Sequence, residues 1–165
     1  MSKPFLLQSD IAEIVEGLGP LAKEFSGKTV LLAGGRGFLG RYFIETFNLL
    51  NKRKLRKPCR LIVADNLITA GKAGAAAFSI PYGRFIKHDI IEPLALRERV
   101  DFVLQAAGIA SPYYYRAYPL ETLDVAISGT KNMLDLARRQ QARLLFFSSS
   151  EIYGDPHPKH VPTPE

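Results

Sequence analysis

Residues 28–40 read KTVLLAGGRGFLG, a short continuous apolar run followed by four glycines in seven residues. Helical spacing then takes over from Phe38 to Leu50. An apolar run of this length without alternation reads as a strand buried on both faces, the habit of parallel sheets. Gly35, Gly37 and Gly40 supply G-x-G-x-x-G, while Gly34, Gly37 and Gly40 supply G-x-x-G-x-x-G. Between a strand and a helix this spacing has a mechanical meaning. One glycine makes the tight turn, another lets backbone N–H groups approach a pyrophosphate, and the last permits close helix–strand packing. The positive end of the helix dipole then faces the anion.

Working outward, the next strand is RLIVA, residues 60–64, and it ends on Asp65-Asn66. Asp65 stands 25 residues after Gly40, where a carboxylate accepts hydrogen bonds from the adenosine ribose. It also repels a 2′-phosphate, which favours NAD over NADP; Lys72 and a nearby basic run pull the other way. Asp89 closes a third strand, RFIK at 84–87, within reach of an adenine amino group. Two more strands fall at 101–106 and 143–148. A long helix opening at Pro119 lies between them, with Leu120, Leu123, Ile127, Leu134 and Ala137 as its expected buried stripe. Ahead of it all, residues 10–25 read as an amphipathic helix interrupted at Gly19-Pro20, whereas 67–83 show no readable element. Strands alternating with helices predict an α/β fold, a doubly wound parallel sheet of Rossmann type in the order 3-2-1-4-5. The expected organisation is a helical extension over 1–27 and a dinucleotide-binding domain over 28–165.

Composition narrows the field. Hydrophobic residues make up 47% and charged residues 23% of 165, which excludes wholesale disorder. The one cysteine, Cys59, can form neither an intrachain disulfide nor a cysteine-based zinc site and points to a reducing compartment. His157 and His160 offer too few ligands on a proline-rich loop, so no metal is expected. Without a signal peptide or a spanning apolar run, the expectation is a cytoplasmic protein with no membrane partner. The net charge of +6 resides in KRKLRKPCR, residues 52–60; elsewhere basic and acidic residues balance. That run reads as a solvated connector, and no nucleic-acid partner is expected.

AGGRGFLG (33–40), ADN (64–66), HDIIEPL (88–94), AAGIASP (106–112), YPLETLDVAISGT (118–130) and SSSEIYGDP (148–156) occur in this order. Together they resemble the extended short-chain dehydrogenases/reductases, the NAD-dependent epimerase/dehydratase family, over about residues 28–165. In HDIIEPL, the Ala110-Ser111-Pro112 step and the YGDP ending, the chain is similar to UDP-glucuronate decarboxylases. The resemblance implies NAD contacts from Gly34, Gly37, Phe38, Leu39, Gly40, Asp65, Asn66, Asp89, Ile90, Ala106 and Ala107. It implies a nucleotide-sugar substrate touched by Ser111, Pro112 and Tyr118, and a homodimer of the full-length form. The implied chemistry is oxidation at C4 of the sugar, loss of carbon dioxide from C5, and re-reduction. Ser149 would bind the reacting O4, with Ser150 and Glu151 flanking C5. A 4,6-dehydratase carries Asp before this Glu to protonate a departing hydroxyl, so Ser150-Glu151 favours decarboxylation. A dehydratase or 4-epimerase, or a non-catalytic cofactor-binding module, are the alternatives.

Departures from the family pattern bear on this. Ala33 and Ala126 replace a usual Thr and Asn, and Arg36 fills a position often small, where it is expected near the pyrophosphate. The catalytic Tyr-x-x-x-Lys is not found: none of the tyrosines at 42, 82, 113, 114, 115, 118 and 153 has lysine four residues on. The chain is therefore expected to be the amino-terminal portion of a longer enzyme, cut before the later strands and the substrate domain. Alone it is expected to bind cofactor and turn over nothing. The cluster Tyr113, Tyr114, Tyr115 and Tyr118 would either line the sugar pocket or cover exposed core edge.

Overall fold

The computed structural model describes residues 7–69 and 79–164. Lys72 and most of the unreadable stretch at 67–83 lie outside the described residues. Five strands, β1 (Thr29–Ala33), β2 (Arg60–Asp65), β3 (Gly83–Lys87), β4 (Phe102–Gln105) and β5 (Arg143–Phe146), form one sheet. All pairings are parallel, as the alternation of elements predicts, and the order β3-β2-β1-β4-β5 is the one expected of a Rossmann-type sheet. β1 is central and wholly buried, with Leu31 paired to Ile62 on one side and Val103 on the other. Because successive strand residues face opposite ways, Val30 and Leu32 enter one core cluster while Leu31 and Ala33 enter the other.

The first cluster is closed by α2 (Phe38–Arg53), which buries Ile44, Phe47 and Leu50. The amino-terminal segment shares it. α1 (Gln8–Gly17) and a 3-10 turn (Gly19–Phe25) contribute Val15 and Ala22, and the Phe25 ring meets those of Phe47 and Phe102 at 5.3 and 5.2 Å. The chain breaks between them at Gly19, whose φ of +50° suits glycine. Two polar ties fix α1 to α2: the Tyr42 hydroxyl donates to Asp10 Oδ2 at 3.1 Å, and Lys54 Nζ sits 2.9 Å from Glu16. The basic run ends α2 and leads into β2. Lys52, Arg53, Lys54, Arg56, Lys57 and Arg60 are exposed, while Cys59 between them is buried.

The opposite face carries α3 (Pro112–Ala117), α4 (Pro119–Asp124), a π-helical turn (Val125–Gly129) and α5 (Thr130–Gln140). Here the structure corrects the expected stripe. Leu120, Leu123, Ile127 and Leu134 are 73, 55, 62 and 51% exposed; only Ala137 of that set is buried. The buried face is Val125, Gly129, Met133, Leu136 and Ala137. The segment has two apolar stripes of helical period, and a widened i→i+5 turn changes which one meets the sheet. Gly129 lies so close to Ile90 that a Cβ would stand 2.7 Å from its Cδ1. A small residue therefore faces inward where a leucine would not fit. The last two strands are also shorter than expected, ending at Gln105 and Phe146, although the Ala106 and Phe147 N–H groups still donate to Ala33 O and Gln105 O.

Candidate functional site

Parallel strands bring their carboxyl ends to one edge, and there a cleft opens between the ends of β1, β2 and β4. Gly34 adopts φ +79°, and its N–H donates to Ala64 O at 2.9 Å. A Cβ on Gly34 would stand 2.6 Å from the Ala106 carbonyl and the Ala107 backbone, and one on Gly40 would overlap the Gly34 carbonyl. Close approach thus requires glycine at both positions, and at Gly34 the left-handed backbone requires it as well. Gly37 occupies the N-cap of α2 and no side chain caps it. The first N–H groups of a helix have no intrahelical partner, and its dipole is positive at this end. Gly34 and Gly37 line the cleft.

Two carboxylates stand on the same cleft, each held by named donors. Asp65 accepts the Arg36 N–H at 2.8 Å on Oδ2 and the Leu67 N–H at 2.7 Å on Oδ1. Asp89 accepts Asn66 Nδ2 at 2.7 Å and the Ile91 N–H at 3.1 Å. A carboxylate offers about four acceptor positions, so each keeps capacity for a ligand. Asn66 is therefore an orienting group for Asp89. Ile90, Ala106 and Ala107 complete the sequence-derived set that lines the cleft. The fully buried Gln105 bonds back to both the N–H and the carbonyl of Ala107, shaping that wall.

Other expected residues stand elsewhere. Gly40 is buried behind the turn, and Phe38 and Leu39 are 59 and 48% exposed on the outer side of α2. Arg36 sends its side chain to β3 rather than towards the cleft: the guanidinium lies 5.5 Å from the Phe85 ring centre. Burial, with Arg41 beside it, lowers the Arg36 pKa, and Asp65 opposes that shift. Ser149, Ser150 and Glu151 are exposed in a 3-10 turn after β5, where Ser149 Oγ accepts the Glu151 N–H at 3.3 Å. Ser111 and Pro112 open α3 and Tyr118 joins it to α4. None of these six lines the cleft. Of the tyrosines, Tyr114 packs on the core while Tyr113 is 75% exposed.

Sequence reasoning missed Glu121 and Val125, which also line the cleft. Their four-residue spacing puts both on one helix face, a signal obscured by taking Leu120 and Leu123 as the buried side. Among the described residues no group of three or more His, Cys, Asp or Glu is placed to hold a metal. Burial pushes the Cys59 thiol up to about 12, with Asp101 adding to the shift, so it is no nucleophile at neutral pH. No described helix is long and apolar enough to cross a membrane.

A doubly wound sheet with a glycine turn, an uncapped helix end and two carboxylates at its carboxyl edge defines a dinucleotide-binding fold of Rossmann type. The chain belongs to the NAD dependent epimerase/dehydratase family, whose model matches residues 30–165. It is 38% identical over 143 residues to UDP-glucuronic acid decarboxylase 2 of Arabidopsis thaliana, covering 85% of this chain and 30% of that protein. To UDP-glucuronic acid decarboxylase 1 of Danio rerio it is 38% identical over 137 residues, covering 81% and 30%. The chain thus spans about a third of the length of these curated relatives. Among solved structures, UDP-N-acetylglucosamine 4-epimerase from Methanobrevibacter ruminantium, in complex with UDP-N-acetylmuramic acid, superposes with TM-score 0.62 at 21% identity, covering 79% of this chain and 41% of that one. UDP-glucose 4-epimerase from Brucella ovis, in complex with NAD, gives 0.55 at 24%, covering 79% and 38%. These two likenesses carry the fold.

Proposed function

We propose that this chain is the NAD-binding amino-terminal part of a nucleotide-sugar-modifying enzyme of the UDP-glucuronate decarboxylase type. The observation that carries the reading is the cleft itself, where the uncapped amino end of α2, Asp65 and Asp89 face one space. A pyrophosphate fits the helix end, ribose hydroxyls fit Asp65, and an adenine amino group fits Asp89. When bound, NAD supplies an acceptor for the hydride at sugar C4 and returns it after carbon dioxide has left. Ser149 holds the sugar O4 by a hydrogen bond. Glu151 either orients the ring and its carboxylate or, as an acid, delivers the proton that takes the place of carbon dioxide at C5. Ser150 is a poor acid, which suits loss of carbon dioxide and not loss of a hydroxyl.

Because no tyrosine here has lysine four residues on, the chain by itself binds cofactor without turnover. The working enzyme is a cytoplasmic homodimer that acts on a nucleotide sugar, with neither nucleic acid nor membrane as partner. Support for self-association comes from the exposed row Leu120, Leu123, Ile127 and Leu134. Titration calorimetry with NAD tests the binding half, and absence of heat overturns it. Incubating a longer form that carries Tyr-x-x-x-Lys with UDP-glucuronate tests the chemistry. Released carbon dioxide is expected; a form that releases none and instead converts UDP-glucose to a 4-keto-6-deoxy product is a dehydratase.

A further inference from the structure

One side chain reaches the adenosine end of the cleft from the helical layer without touching the cleft. Asn132, near the start of α5, donates from Nδ2 to Ile90 O at 2.9 Å and to Ile91 O at 2.8 Å, across more than forty residues of chain. Both carbonyls belong to the loop that presents Asp89. An amide NH₂ has two hydrogens, and here each is spent on one carbonyl of the same loop. Three residues earlier on the same helix, Gly129 sits against the Ile90 side chain. The loop is therefore fixed to the helix twice, by contact and by hydrogen bonds.

What this fixes is the aim of a carboxylate. Asp89 Oδ1 accepts the Ile91 N–H at 3.1 Å, and the Asp89 carbonyl accepts the Glu92 N–H at 3.1 Å. The peptide units of Ile90 and Ile91 are thus the frame on which the Asp89 side chain turns. Asn66 steadies it from the β2 side, and Asn132 steadies the frame from the α5 side. Ile90 is 3% exposed. Carbonyls beside it that lose their donor are costly to leave unpaired and draw the loop towards water.

We propose that Asn132 is a positioning residue for the adenosine half of the cofactor, holding the Ile90–Ile91 backbone so that Asp89 faces the cleft. The inference rests on the reading that NAD occupies this cleft and names a residue which that reading does not use.

The test is calorimetry on the full chain with three ligands: NAD, ADP-ribose and nicotinamide mononucleotide. Wild-type protein binds NAD and ADP-ribose; if it binds neither, the cleft reading fails and the inference with it. In Asn132→Ala, affinity for ADP-ribose and NAD falls about tenfold, the scale of unpaired buried acceptors, while that for nicotinamide mononucleotide stays unchanged. Met133→Ala, one residue on and wholly buried, loosens the same helix, and there the ratio of the two half-ligand affinities holds at its wild-type value. Unchanged ADP-ribose affinity in Asn132→Ala, an equal loss for both half-ligands, or the same ratio change in Met133→Ala overturns the inference. Should Asn132→Ala not fold, NMR on the wild type decides. Exchange of the Asn132 side-chain amide protons slows with ADP-ribose and not with nicotinamide mononucleotide; a rate indifferent to ADP-ribose overturns the proposal.

Discussion

The centre of the sheet and its β5 side differ in how far each is finished. Every residue of β1 is buried, and the stretch that follows is packed so closely that a Cβ on Gly34, Gly35 or Gly40 would overlap a neighbouring atom. Among the described residues β5 pairs with β4 alone; Leu145 and Phe146 are 52 and 46% exposed, and the Ser149–Glu151 turn beyond them is exposed. The same contrast divides the helix layer, where Met133 is fully buried and its neighbour Leu134 is half exposed. The expected cofactor groups therefore stand beside closely packed backbone, whereas the expected chemical groups stand where apolar surface is open.

Four measurements break or sharpen that contrast. The largest effect is expected from Gly40→Val. Its side chain overlaps the Gly34 carbonyl and the Gly35 backbone, so NAD binding is lost in calorimetry and the melting temperature collapses; retained binding would show that the turn has slack. Next comes the paired comparison on α5. Met133→Ala costs about 3 kcal/mol in denaturant unfolding, as large-to-small core changes do. Leu134→Ala costs under about 0.5 kcal/mol, as surface changes do. Equal costs would mean that the exposed stripe is covered in solution.

Third is Asp65→Ala, which removes the acceptor of the Arg36 and Leu67 N–H groups as well as the expected ribose contact. NAD affinity falls about tenfold or more, since charge-assisted hydrogen bonds each contribute about 1.5–3 kcal/mol. Unchanged affinity would place the ribose elsewhere. The smallest effect lies at the amino end of the strands. Burial works against ionising Asp101, but the Thr29 N–H and Lys28 outweigh it and hold the carboxyl below its ordinary 3.8. A lowered folded pKa stabilises above the unfolded value, and that stability drains away as pH falls from about 4 through the folded pKa. Asp101→Asn is expected to flatten the acid side of the stability curve, read from unfolding at pH 3 against pH 6. An unaltered slope would leave the network without a role in acid stability.

Local chemistry was readable in the sequence; choices made between layers were not. β1, the glycine turn, α2, Asp65 and the strand order followed from run length, spacing and alternation, because glycine sterics and strand burial act over a few residues. The helix after Pro119 did not. Leu120, Leu123, Ile127 and Leu134 satisfy helical spacing as well as Val125, Gly129, Met133 and Leu136 do. The π turn and the closeness of Ile90 decide between them. Arg36 was expected near the phosphates from its place in the turn, yet Phe85, reached only through the sheet, draws its guanidinium away. Glu121 escaped notice for the same reason as the stripe.

The amino-terminal segment also bears on how this protein should be handled. The family likeness begins at residue 30, which invites trimming everything before it. Such a cut removes Val15, Ala22 and the Phe25 ring from a hydrophobic cluster shared with Phe47 and Leu50, and severs the Asp10–Tyr42 and Glu16–Lys54 ties. Homology and cooperativity draw different borders here, and a preparation trimmed to the first is expected to be stickier and less soluble than one that respects the second.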